Sequence, residues 1–157
     1  MFVELRHGLC HVVNMADKLA RTREHPKASL RDWLERQINA AETGRDEPMT
    51  VQDIETAWAP RFDKSEIEDM VITKRTMARR KAASSRLTQE ETDRAVRLAR
   101  IQLEADRVFA NPKKASLWLR TPRPNLSGQT PLSLLRTEAG AMVVRDVLGQ
   151  IDHGMFA

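Results

Sequence analysis

The sequence predicts an all-α fold, a central helix-turn-helix region followed by a small helical domain, and three observations carry that expectation. No stretch alternates apolar and polar residues with period two, and strand-building aromatic runs are missing, since the 157 residues hold no Tyr, four Phe and three Trp. Charged residues make up 31% of the chain, and apolar residues recur at three- and four-residue spacing along it. The chain is also punctuated like a series of helices, with Ser, Thr or Asn at starts, prolines in first turns and glycines at ends.

Taken in order, residues 2–22 place Leu5, Leu9, Val12, Val13, Ala16 and Leu19 on one face of an amphipathic helix, which His25-Pro26 ends. A second helix starts from Ser29, with Asp32 at its third position, points Leu30, Trp33, Leu34, Ile38 and Ala41 inward, and stops at Gly44. Residues 43–49 are the best linker candidate. Thr50 with Asp53 opens the next helix, closed by Pro60. A short helix then runs from Ser65 to Val71, breaks at Ile72-Thr73, and is followed by another over 73–83. Thr88 with Glu91 forms a capping-box pattern and begins the longest helix, 89–110. Asn111-Pro112 starts a short helix ending near Arg120, Thr130-Pro131 repeats the device, and a last helix over 138–152 points Met142, Val143, Val147, Leu148 and Ile151 inward before Gly154. The expected division is an N-terminal extension over 1–49, a helix-turn-helix region with its connecting helix over 50–110, and a C-terminal domain over 111–157.

Charge is uneven along the chain. Residues 1–60 carry 8 basic and 10 acidic groups, 61–114 carry 14 and 9, and 115–157 carry 4 and 3. No acidic residue falls between Asp69 and Glu90, a window that holds Lys74, Arg75, Arg79, Arg80, Lys81 and Arg86. A basic run is most often a solvated face. Here the short helix, tight break and capped second helix favour a DNA-reading element, with Thr73, Lys74, Arg75 and Thr76 at base edges or phosphates and Arg79, Arg80, Lys81 and Arg86 along the backbone.

Nothing in the chain suggests catalysis. Glu90, Glu91 and Asp93 lie in a helix's first turn, where acidic residues stabilise the positive end of the macrodipole. His7 and His11 lack a third metal ligand, the glycines never gather into a phosphate-cradling loop, and the single Cys10 excludes an intrachain disulfide. The expectation is a cytoplasmic protein with no enzyme activity, no cofactor, no metal and no membrane span. Its tail, His153-Gly154-Met155-Phe156-Ala157, is apolar in character and is expected to anchor in a cleft on another molecule.

Four stretches together carry a resemblance: Asn111-Pro112-x-x-Ala115-x-x-Trp118-Leu119-x-Thr121-Pro122; Leu126-x-Gly128-x-Thr130-Pro131-Leu132-x-Leu134-Leu135; Thr137-x-x-Gly140; and Ile151-x-His153-Gly154-x-Phe156. In this order they resemble the toxin-binding domain of the Xre/MbcA/ParS antitoxins, the partners of RES-domain toxins in type II toxin–antitoxin systems. The likeness is close over about the last 47 residues and looser through Thr73–Lys81 and Arg86–Glu91. It implies toxin contact by Trp118, Arg120, Thr121 and Pro122, by Leu126, Gly128, Thr130, Leu132 and Leu135, by Thr137 and Gly140, and by His153, Gly154, Met155, Phe156 and Ala157. It further implies a RES-domain toxin that degrades NAD or transfers its ADP-ribose, an NAD pocket obstructed by the antitoxin's C-terminal residues, binding to the antitoxin's own promoter DNA, and a homodimer within a hetero-oligomeric complex. The short helix before the basic one leaves assembly, rather than DNA reading, as the other role open to that region. The competing expectation is a stand-alone helix-turn-helix regulator whose C-terminal domain senses or binds something else.

Overall fold

The computed structural model describes residues 29–45 and 49–155. Within them the chain forms eight α-helices, one 3₁₀ turn and no strand, with one isolated bridge between Thr50 and Arg86. The helix expected over 2–22 lies outside the described residues.

Local chemistry sets most of the helix starts. Helix α1 (Leu30–Thr43) begins with a reciprocal box: the Ser29 N–H donates to Asp32 Oδ2 at 3.0 Å and the Asp32 N–H to Ser29 Oγ at 3.2 Å. These Ser29 contacts, side chain first and backbone second, hold the Asp32 carboxyl below its ordinary range. Gly44 ends the helix at φ 62°, a left-handed conformation that costs glycine little. Helix α2 (Val51–Trp58) uses Thr50 and Asp53 in the same way. The expected linker does not extend to residue 49: Met49 is buried, and its carbonyl accepts from the Leu87 N–H at 2.8 Å. An apolar side chain beside a capped helix start is drawn into the core despite the polar residues before it.

Helix α3 (Lys64–Met70) starts one residue earlier than expected, capped from Asp63, and a three-residue break, Val71–Thr73, leads into α4 (Lys74–Ala82). The spine is α5 (Gln89–Phe109), opened by the Thr88–Glu91 box and packed against α1, α6 (Pro112–Arg120) and α8 (Glu138–Asp152). Ala95, Ala99 and Ala105 on α5 have no exposed surface, so three helices approach its backbone closely. A 3₁₀ turn at Pro124–Leu126 and the single-turn α7 (Pro131–Leu134) connect α6 to α8.

One apolar cluster runs from Leu30 on α1 to Leu148 on α8. Trp33 and Trp58 meet edge to face at 5.5 Å, and Phe62 extends the stack from Trp58. Burying each such side chain stabilises the fold by roughly 1.5–3 kcal/mol.

Helix α8 faces the core differently from the sequence expectation. Ala141, Val144 and Leu148 are buried and Val147 and Ile151 half-buried, whereas Met142 and Val143, expected inside, are 58% and 45% exposed. Gly140 supplies the physical reason. A Cβ at that position would lie 2.0 Å from the Leu134 carbonyl oxygen, so the backbones of α7 and α8 touch there. That contact fixes how α8 is rotated about its axis and turns Ala141, not Met142, inward.

Candidate functional site

Two surfaces contain the residues singled out in the sequence. The first is α4 and the turn that precedes it. The Thr73 hydroxyl caps α4 by accepting from the Thr76 N–H, so both threonines serve the helix start. Lys74, Arg75 and Arg79 are exposed and form no ion pair among the described residues. Arg80 turns back instead: its Nη2 donates to Glu91 Oε1 at 3.2 Å and its Nη1 to the Arg86 carbonyl at 2.6 Å, which fastens α4 to the start of α5. Lys81 pairs with Glu55 on α2 at 2.6 Å. Arg86 stands exposed beside an open hollow of about 490 Å³ that Arg45, Arg97, Arg100 and Arg145 also line. Arg97 is tied to Glu138 there at 2.8 Å. Of the basic window, Lys74, Arg75 and Arg79 thus face outward as a triad, Arg80 and Lys81 hold the helix in place, and Arg86 borders the hollow.

The second surface lies where α6, the 3₁₀ turn and the end of α8 converge. A groove of about 300 Å³ is lined by Trp118, Arg123, Asn125, Val147, Ile151 and Met155, among others. Trp118 is nearly buried, with Phe109 tilted against it at 5.6 Å and the Arg123 guanidinium 5.6 Å above its ring. The Arg123 carbonyl accepts from the N–H groups of Leu126 and Gly128 and so shapes the turn. Beyond α8, Gly154 adopts φ 70° and the Met155 N–H returns to the Gln150 carbonyl at 2.8 Å. His153 is exposed and Met155 is 59% exposed on the groove's rim. Phe156 and Ala157 lie outside the described residues.

Many residues assigned to toxin contact through the resemblance are engaged within the chain. Leu126 and Leu135 are core, and Leu132 is half-buried. The Thr121 hydroxyl donates to the Leu117 carbonyl, Thr130 caps α7, and Thr137 caps α8 by accepting from Gly140. Gly140 is needed where α7 meets α8. Pro122 is exposed.

Arg120 reaches away from the groove, across to α3. Its Nε and Nη2 donate to the two oxygens of Glu66 at 2.7 Å each, Nη2 also meets the Arg61 carbonyl at 3.0 Å, and the guanidinium lies 5.9 Å from the Phe62 ring centre. Arg136, just after α7, pairs with Asp69, and Arg94 on α5 donates to the Val71 carbonyl at 3.2 Å. The first helix of the helix–break–helix unit is therefore held by cations from later elements.

Sequence reasoning missed Arg123 and Glu66. Arg123 sits between two prolines, a position that reads only as loop. Glu66 is 54 residues from the arginine that it binds, and no local pattern marks such a pair. Among the described residues no three His, Cys, Asp or Glu gather as metal ligands, and no helix is long and apolar enough to cross a membrane.

Comparison with known proteins adds to this geometry. Residues 104–154 match the family described as the antitoxin Xre/MbcA/ParS C-terminal toxin-binding domain. "Antitoxin Xre" of Yersinia enterocolitica is 39% identical over 87 residues, which cover 55% of this chain and 59% of that protein. The chain thus spans about three fifths of that relative's length. "Antitoxin Xre" of Photorhabdus laumondii is 34% identical over 110 residues, covering 69% of this chain and 74% of that one. A Sphingobium protein named "Prs ADP-ribosylating antitoxin" is 37% identical over 106 residues, covering 60% and 66%.

Proposed function

The chain belongs to the Xre family of antitoxins, and from that premise we propose that it captures and neutralises a RES-domain toxin by seating its C-terminal segment in the toxin's NAD pocket. The observation that carries this reading is the chain's course after α8. A left-handed turn at Gly154 leaves Met155 on the groove rim with 59% of its surface in solvent, and Phe156 follows in sequence. A thioether and an aromatic ring are the kind of groups that anchor in a concave, largely apolar site. A toxin that consumes NAD or transfers its ADP-ribose has such a site, and the name of the Sphingobium relative supports that chemistry.

The second part of the proposal is binding to promoter DNA through α4. Lys74 and Arg75 in the first turn of α4 and Arg79 in its last turn are exposed cations with no ion pair among the described residues, suited to neutralising phosphates. Arg80 acts behind them as a brace. A homodimer within a larger complex, in the cytoplasm, would present two such helices at once. The chain itself supplies no chemistry; its effect is to occupy a site where another protein's chemistry occurs.

The test is a titration. Purified chain added to its proposed RES-domain partner should bring NAD consumption down to background near equimolar ratio. Undiminished turnover under a large excess of the chain would refute the proposal.

A further inference from the structure

Helix α8 contains two glycines in contrasting surroundings. Gly140 is required by the fold, because a side chain there would collide with the Leu134 carbonyl. Gly149 is not: a Cβ at that position would meet nothing within 4 Å, and its backbone is helical. An interior helical glycine costs stability relative to alanine, and nothing among the described residues uses the space that Gly149 leaves.

The same face of α8 has two further features. At 100° per residue, Met142, Val143, Asp146, Gly149 and Gln150 share the side opposite the buried Ala141, Val144 and Leu148. Met142 and Val143 are two of the four large hydrophobic residues exposed among the described residues; with Leu117 they fall within residues 104–154, and the fourth, Met155, lies one residue beyond. Asp146 is exposed and forms no ion pair among the described residues.

We propose that this outward strip of α8 is a second docking surface for the toxin, separate from the tail. Toxin backbone approaches closely at Gly149, an apolar recess covers Met142 and Val143, and a toxin cation meets Asp146. The inference rests on the reading that the chain captures a RES-domain toxin. The strip's position inside the span that matches a toxin-binding domain favours that occupant. A second copy of this chain fits poorly, because a twofold pairing centred on the strip would set Asp146 against its own counterpart.

The experiment pairs thermal melting with calorimetric binding to the proposed RES-domain partner, carrying an inactivating substitution. Gly149→Ala is expected to raise the melting temperature of the free chain and weaken toxin affinity at least tenfold. Met142→Ala is expected to weaken it several-fold with the melting temperature unchanged. Full-affinity binding by both variants would overturn the strip while leaving toxin capture by the wild-type chain intact. Absence of binding by the wild-type chain itself would remove the underlying reading and the strip with it. If sedimentation shows that Gly149→Ala alters self-association and not toxin binding, the strip belongs to a second copy and the proposal fails.

Discussion

Helices α4 and α8 both lie at the surface, yet the residues that mark them in sequence behave in opposite ways. In α4 the mark is charge, and the structure divides it: Arg80 and Lys81 turn to Glu91 and Glu55, while Lys74, Arg75 and Arg79 stay outside. In α8 and the turns before it the mark is a motif, and much of that motif points inward. Thr137 caps, Gly140 packs, Leu126 and Leu135 fill the core, and the exposed apolar side chains Met142 and Val143 belong to no motif. In both helices part of the mark thus serves the fold itself, as braces in α4 and as caps and core packing in α8 and the turns before it.

The largest effect expected from this contrast is at Gly140. Changing Gly140→Ala places a methyl 2.0 Å from the Leu134 carbonyl oxygen, so α7 and α8 must separate. The loss should be about 3 kcal/mol, read by denaturant melts, and toxin binding should fall only as the folded fraction falls. Next comes Arg120. Arg120→Ala strips Glu66 of its bidentate partner and frees the Arg61 carbonyl. The pair is partly exposed, so the expected cost is about 2 kcal/mol, below that of a fully buried one. If the variant melts like the wild type but fails to bind toxin, Arg120 is a contact residue and the brace assignment is wrong. The smallest structural effect is expected for Arg75→Ala with Arg79→Ala, within about 0.5 kcal/mol of wild type. That double variant should still lower promoter affinity and flatten its dependence on salt. An unchanged binding isotherm across salt concentrations would mark the triad as a solvated face.

What could be read in the sequence was what depends on near neighbours. The boxes at Ser29, Thr50 and Thr88 were legible because donor and acceptor sit three residues apart, and each is formed. The same holds for the caps at Asn111 and Thr130 and for the left-handed Gly44 and Gly154. What could not be read depends on contacts across the fold. The rotation of α8 follows from the meeting of Gly140 with Leu134, and periodicity alone chose the bulkier Met142 and Val143 for the core. Arg80 and Arg120 looked like outward cations because Glu91 and Glu66 reach them only after the chain has folded back. The groove around Trp118 was legible in part: its tryptophan belongs to a motif, but Arg123 over the ring does not.

The central claim is that the segment after α8 works outside its own fold. It is tested most directly by deleting Gly154–Ala157 and comparing the truncated and untruncated chains as inhibitors of NAD consumption by the proposed RES-domain partner. The account predicts an unchanged melting transition and a large loss of inhibition for the truncated chain. Equal inhibition by the two would contradict it.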